Sequence, residues 1–219
     1  MNKMQLGIIL VILASFAISA YYYPSMPGRL ASHWNLQGDA DGYSGKLFGM
    51  FFVPALLAVM CFILYFIPNL DPLKANVAKF REHYDRFILI LALFMLYIHA
   101  LTIYWNLGRQ FDFGQYLSPA FGILFLAVGK LVENAKPNWF IGIRTPWTLS
   151  SEKVWEKTHR IGGKLFFATG IVSFMGIFFP QISLLIVLAM ALAIIVWSLV
   201  FSFVEYKKEM GGKQRVDKK

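Results

Sequence analysis

The sequence predicts an all-α membrane protein, a bundle of six transmembrane helices with both termini in the cytoplasm. Three observations lead there. The 219 residues are 58% hydrophobic and only 15% charged, with a mean hydropathy of +0.56, whereas soluble domains carry under about half apolar and about a quarter charged residues. The apolar residues fall in six runs, each close to the roughly 20 residues a helix needs to cross the hydrocarbon layer. The 21 Lys and Arg residues sort by loop. Sixteen lie at Lys3, in the second loop (Lys74, Lys79, Arg81, Arg86), in the fourth (Lys136, Arg144, Lys153, Lys157, Arg160) and in the tail (Lys207, Lys208, Lys213, Arg215, Lys218, Lys219), against three (Arg29, Lys46, Arg109) in the first and third loops. An even number of spans returns both termini to one side, and the positive-inside rule makes that side cytoplasmic. The expected location is therefore the cell membrane, multi-pass. This composition excludes a disordered or disulfide-stapled chain and argues against a water-soluble enzyme. The net charge of +9 reads as topology plus attraction to membrane lipids, with no direct nucleic-acid binding.

The spans fall at about 4–23, 47–67, 87–105, 116–132, 164–179 and 182–203. The first run ends in Tyr21, Tyr22 and Tyr23, an aromatic belt that suits a retained span better than a cleaved signal peptide. Residues 1–67 form a first helical hairpin around the extracytoplasmic loop 24–46. Pro24 and Pro27 stop the helix there, and a series of Gly, Asp and Asn residues predicts a compact, ordered cap with tight turns at Gly38 and Gly42. The second run holds Cys61, the one cysteine, expected as an apolar packing residue. Residues 68–132 form a central hairpin. Asp71 is placed to cap, Pro72 suits the first helical position, and Leu73, Val77, Phe80, Tyr84 and Phe87 make one stripe, so a cytoplasmic helical extension of the third span is expected. Residues 133–206 comprise the fourth loop and the last hairpin. Ser150 or Ser151 caps a helix from Glu152 to Ile161 with Trp155, His159 and Gly162 on one face, expected as an amphipathic inner-surface helix. The basic tail, 207–219, is expected to be disordered and drawn to lipid.

Chemistry-bearing motifs are scarce. There is no HExxH, no cysteine pair, no phosphate-cradling glycine loop and no nucleophile elbow, so no catalytic residue, metal or cofactor is assigned. Asp39-x-Asp41-Gly42 resembles half of a calcium loop, but no carboxylate follows eleven residues later. The outer-loop candidates are His33, Asn35, Asp39 and Asp41, which either form a loose cation site or cap turns. His99 is the one strongly polar candidate within a span. It is read as an interhelical hydrogen-bonding group in preference to a proton relay, because no spanning Asp or Glu accompanies it. In the fourth loop, Asn138, Arg144, Thr145, Trp147, Ser150, Trp155 and His159 are the candidate partner- or ligand-binding set. An Arg beside Trp can stack and donate several hydrogen bonds; the competing reading is that these residues hold the loop's own turns and bind lipid phosphates. An enzyme would need Asn138, Arg144, Ser150 and His159 to converge in one pocket. The alternative function is a small-solute or proton-coupled transporter using His99 and the outer His33, Asp39 and Asp41.

The stretch Asn138 to Lys164, with Gly142-Ile143-Arg144-Thr145-Pro146-Trp147-Thr148-Leu149-Ser150, Val154-Trp155, Thr158-His159-Arg160 and Gly162-Gly163-Lys164, resembles the hallmark of SdpI-family membrane proteins. The loop from Pro24 to Lys46, with His33, Asn35, Gly38, Asp41, Gly42 and Lys46, resembles the small membrane domain of unknown function that commonly precedes it. The resemblance implies an immunity and signal-transduction protein. Such a protein would bind a secreted toxic peptide, confer toxin resistance and recruit a cytoplasmic transcriptional repressor to the membrane.

Overall fold

A computed structural model describes residues 2–216, without the side chains at 180 and 213–216. Among the described residues, six helices are long and apolar enough to cross a membrane. They are α1 (Lys3–Tyr22), α2 (Lys46–Leu70), α4 (Arg81–Asn106), α5 (Phe113–Asn134), α7 (Glu152–Phe174) and α8 (Pro180–Val216). Two short helices, α3 (Lys74–Ala78) and α6 (Pro146–Ser150), lie in the connections at the end that holds both termini. A hairpin of β1 (Arg29–Trp34) and β2 (Ala40–Gly45) caps the other end.

Helix starts are set by short polar side chains that take the otherwise unpaired first N–H groups. Asn2 and Gln5 form a reciprocal capping box on α1, at 2.9 and 3.0 Å. Asp112 accepts from Gln115 N at 2.9 Å to open α5, and Ser151 accepts from Val154 N at 3.2 Å to open α7. Two prolines sit inside α2, and each leaves the carbonyl four residues back without its usual N–H donor. Neighbouring helices supply hydroxyls to both. Ser19 Oγ of α1 donates to Met50 O at 2.7 Å, the acceptor Pro54 leaves open, and Tyr84 Oη of α4 donates to Leu64 O at 2.8 Å, the acceptor Pro68 leaves open. In lipid, where water cannot reach such a carbonyl, this is how a proline-bearing span stays helical.

The closest helix pair is α5 against α7. Gly122 faces Gly170 and Gly129 faces Gly163, so reciprocally that a Cβ on any of the four would lie 2.8–2.9 Å from the opposing carbonyl oxygen. The two pairs are seven residues apart on each antiparallel helix, which lets the backbones approach to weak Cα–H···O range, as small residues do in membrane bundles. This contact corrects one expectation. Residues 152–161 are not a separate inner-surface helix but the first turns of α7, which runs unbroken through Gly162 and Gly163. Glycines that ordinarily interrupt a helix are held here because Gly163 packs flush on Gly129 and Glu133.

Three further expectations change. The extension of the third span is broken: α3 ends at Ala78 and α4 begins at Arg81, so the stripe from Leu73 to Phe87 is split between two helices. The tail expected to be disordered from 207 continues α8 as helix through Val216; residues 217–219, with Lys218 and Lys219, lie outside the described residues. The outer cap is ordered and does turn at Gly38, where φ is +84°. Gly42 instead lies within β2, paired with His33 across the ladder, and its lack of a side chain matters because a Cβ would come within 2.8 Å of His33 Cβ.

The hairpin is seated on the helices. Leu30 is wholly buried with Met26, Met50 and Ile103. Asn106, the last residue of α4, receives Ala31 N on Oδ1 at 2.8 Å and donates Nδ2 to Ala31 O at 3.0 Å. Its amide thus pairs with β1 as a third strand would. Trp34 stacks on Phe113 at 4.0 Å and meets Trp105 edge-on at 5.7 Å.

Candidate functional site

At the termini end, the chain from Ala135 to Ser151 folds beneath the bundle and is fixed residue by residue. Asn138 is 1% exposed. Its Nδ2 donates to the carbonyls of Lys136 and Ile141 at 2.8 and 2.7 Å, and its Oδ1 accepts from Phe140 N and Ile141 N at 2.9 and 2.6 Å. All of its capacity is spent on its own turn. Asp71, also buried, reaches in from the second loop: Oδ1 accepts from Leu73 N at 2.7 Å and Oδ2 from Trp139 N at 2.9 Å. Asn76 Nδ2 donates to Pro137 O at 3.0 Å. Two connections far apart in sequence are thereby joined by two polar contacts, Trp139 N to Asp71 and Asn76 to Pro137 O, in a setting where unpaired groups are costly.

Trp155 and His159 anchor the loop from α7. They stack at 3.9 Å between ring centres, and Trp155 Nε1 donates to Ala135 O at 2.9 Å. Ile143 N donates to His159 Nε2 at 3.0 Å, so this nitrogen is unprotonated and the proton sits on Nδ1, donating to Trp155 O at 2.9 Å. His159 is therefore a neutral, fully engaged ring. The preceding Gly142 holds φ +114°, and a Cβ there would overlap the His159 ring.

Thr145 and Thr148 form a capping box on α6, and Pro146 takes the first helical position as expected of proline. Thr145 Oγ1 also donates to Ser202 Oγ of α8 at 3.0 Å. Trp147 packs on Phe203 at 5.1 Å, and Ser150 Oγ donates back to Pro146 O at 2.6 Å. Arg144 is exposed and donates Nη1 to Trp139 O at 2.7 Å; it does not stack on Trp147. α8 is clamped to α7 by Lys157 on Glu205 and by Ser151 on Glu209, each at 2.5 Å, while Lys208, three residues along α8, holds the other oxygen of Glu205 at 2.8 Å.

Asn138, Arg144, Ser150 and His159 do not converge. A cleft of about 310 Å³ runs beside Asn138 and Ser150, walled by Leu73, Asn76, Trp139 and Leu149, while Arg144 and His159 lie outside it. What the loop offers outward is a rigid rim with Trp139 55% exposed and Phe140 and Leu149 nearly as open. The sequence marks Asp71 as a cap alone, Glu205 as a group at a helix end and Thr148 as part of the hallmark, and it gives no sign of the bonds these residues make here, nor of those made by Asn76 and Glu209. Their partners lie 48 to 68 residues away or in the loop's own backbone, and spacing along the chain carries no signal for such contacts.

At the hairpin end, His33 Nδ1 and Asp41 Oδ1 lie 2.5 Å apart on the exposed face. Asn35 Oδ1 accepts from Gln37 N and Asp39 N at 3.0 and 2.9 Å, which makes it the turn residue. Asp39 is exposed and does not join His33 and Asp41, and no group of three metal-competent side chains is found among the described residues. Deeper, His99 is fully buried with Nε2 2.7 Å from Ser19 Oγ. Because that hydroxyl donates its proton to Met50 O, His99 Nε2–H is the donor to Ser19. One residue from each of α1, α2 and α4 meets at this point.

Fold and site together define a multi-pass cell-membrane protein of six helices, with an ordered hairpin at one end and a tightly bonded loop at the other. Residues 134–202 match the SdpI/YfhL protein family. Residues 10–58 match the domain of unknown function DUF1648. The chain is 28% identical to the Immunity protein SdpI of Bacillus subtilis (strain 168) over 214 residues, 97% of this chain and 100% of that protein. No solved structure matches.

Proposed function

We propose that this protein confers immunity against a secreted antimicrobial peptide and signals the peptide's presence across the membrane to a cytoplasmic transcriptional repressor. The observation that carries the reading is the end-to-end similarity to Immunity protein SdpI, which spans both the hairpin module and the hallmark loop. The surface offered to the peptide is the hairpin end, where Leu36 and Tyr43 are open beside the His33–Asp41 pair. The surface offered to the repressor is the rim of Trp139, Phe140, Leu149 and Arg144. In this reading the hairpin faces outward and the basic end faces the cytosol. Signalling requires the peptide to bind one arrangement of the bundle better than another, since equal affinity for both would shift nothing.

The test is expression in a cell sensitive to the peptide. Survival on challenge, lost when residues 29–45 are replaced by a Gly/Ser linker in a variant that still inserts, supports the reading. Sensitivity unchanged by the intact protein, across co-encoded and related peptides, removes it. Arg144→Ala should leave insertion and survival intact and weaken co-purification of the repressor; full co-purification would take Arg144 out of the mechanism.

A further inference from the structure

The hairpin has two edges, and only one of them is closed. Lys46 N donates to Gly28 O at 3.1 Å. That bond sets the phase of the ladder, because the residues that exchange bonds in an antiparallel pair recur at every second position. Arg29 stands opposite Gly45, Leu30 opposite Ser44 and Ala31 opposite Tyr43, so the pair that exchanges bonds is Leu30 with Ser44. The N–H and C=O of Ala31 and of Tyr43 then point away from the partner strand, toward opposite edges. On the β1 edge both Ala31 groups are met by the Asn106 amide, at 2.8 and 3.0 Å. On the β2 edge no side chain or loop backbone among the described residues reaches Tyr43 N or Tyr43 O.

Proteins usually guard an open strand edge with proline, lysine or a covering element. Residues 40–45 include no proline and no lysine. The irregular steps of the ladder fall between Ala31 and Trp34, on the turn side of Tyr43, so the edge from Tyr43 to Gly45 is regular. An open donor and acceptor on one extended residue are complementary to another extended backbone, and the side chains around them say more about it. Asp39 and Asp41 are exposed toward the turn, and Arg29, across from Gly45, is exposed at the far end. Between them the Tyr43 ring is about half exposed. Asp41 commits Oδ1 to His33 and keeps Oδ2 unpaired among the described residues. The turn end of the edge is thus complementary to a positive charge.

We propose that the secreted peptide is held as an added strand on β2. An extended segment of it pairs its backbone with Tyr43 N–H and C=O, sets an apolar or aromatic residue beside the Tyr43 ring, and places a basic residue beside Asp41. The inference rests on the immunity reading and states how that peptide is bound.

The probe is a synthetic copy of the peptide against which the intact protein protects cells, added to the detergent-purified full chain. Without peptide, the Tyr43 amide should exchange with solvent at least about tenfold faster than the Ser44 amide; peptide should slow Tyr43 at least about tenfold and leave Ser44 unchanged. Tyr43→Pro removes the outward N–H at an edge position that accommodates proline. It should weaken peptide binding at least about fivefold, with Leu30 exchange unchanged as the sign of an intact hairpin. Tyr43→Ala keeps the N–H and should lose less. Asp41→Lys reverses the charge at the turn end and should weaken binding up to about fivefold. If the proline opens the hairpin, exchange of the Tyr43 amide in the parent protein decides alone. Binding to Tyr43→Pro as tight as to the parent, with Leu30 still protected, overturns the proposal and leaves immunity standing. So does tighter binding to Asp41→Lys, or a Tyr43 amide already protected without peptide, as it would be if two copies of the chain paired edge to edge. Protection by the intact protein against no peptide at all removes the immunity reading and this inference together.

Discussion

Tyr84 and Pro68 are joined through a single carbonyl: the proline denies Leu64 O a helical donor, and the tyrosine hydroxyl supplies one from the next helix at 2.8 Å. The bond is conditional on the proline, which makes it measurable. Tyr84→Phe should destabilise the protein by about 1 kcal/mol, between the average for membrane hydrogen bonds and the cost of a buried unpaired carbonyl. In a Pro68→Ala background, where residue 68 has an N–H again, the same change should cost less than half as much. Thermal unfolding in detergent of the four proteins decides it, and equal costs in both backgrounds would mean that Tyr84 acts by packing alone. Ser19 and Pro54 form a second instance of the same arrangement.

The His159 ring occupies the place where any side chain on Gly142 would stand. Gly142→Ala should therefore lower stability by at least about 2 kcal/mol, combining a positive φ with a clash. His159→Phe keeps the stack on Trp155 but strands Ile143 N, with an expected cost of about 1–3 kcal/mol. Ala at Gly28 or Gly45, where a Cβ meets nothing within 4 Å, is the control and should change the melting temperature little. A large loss at the controls would show that the assay reads general glycine sensitivity.

Asn106→Leu removes the amide that continues the β1 ladder while keeping the bulk. Amide exchange over residues 29–34 should rise at least about tenfold, since loss of paired hydrogen bonds of about 1 kcal/mol each opens the hairpin locally. Exchange in α5 and α7 should not change. Uniformly raised exchange would mean that the hairpin and the bundle unfold as one unit.

Sidedness is open to direct labelling. With Cys61→Ser as background, an impermeant thiol reagent on intact cells should modify Tyr43→Cys on the hairpin and should reach Leu149→Cys beside the hallmark only after permeabilisation. Both parent side chains are about half exposed, so access is not limited by burial. The reverse pattern would invert the topology inferred from Lys and Arg.

The six spans were legible because length and hydropathy answer directly to bilayer thickness, and the hallmark was legible as a dense run of Gly, Pro, Trp and Thr. His99 could be read as an interhelical group, although its partner Ser19, 80 residues away, could not. The hairpin strands were hidden because β1 and β2 are short and lack a clean two-residue alternation. Their stability comes from Asn106, Phe113 and Met50, which no local pattern announces. The boundary between the fourth loop and α7 was misread for a related reason. Gly162-Gly163 looks like a helix end until Gly129 is seen across from it, and a glycine pair then marks contact and not termination.

At about 1.5 Å per residue, the 37 residues of α8 make a rod of about 55 Å, far longer than the hydrocarbon is thick. The excess is held at its base by Lys157 and Ser151 of the neighbouring helix. In shape it is a lever arm braced against the start of α7. Any rotation of the last span would swing this lever through the water outside the bilayer, and a probe attached in helical phase beyond Glu209 would report that motion as a change in angle.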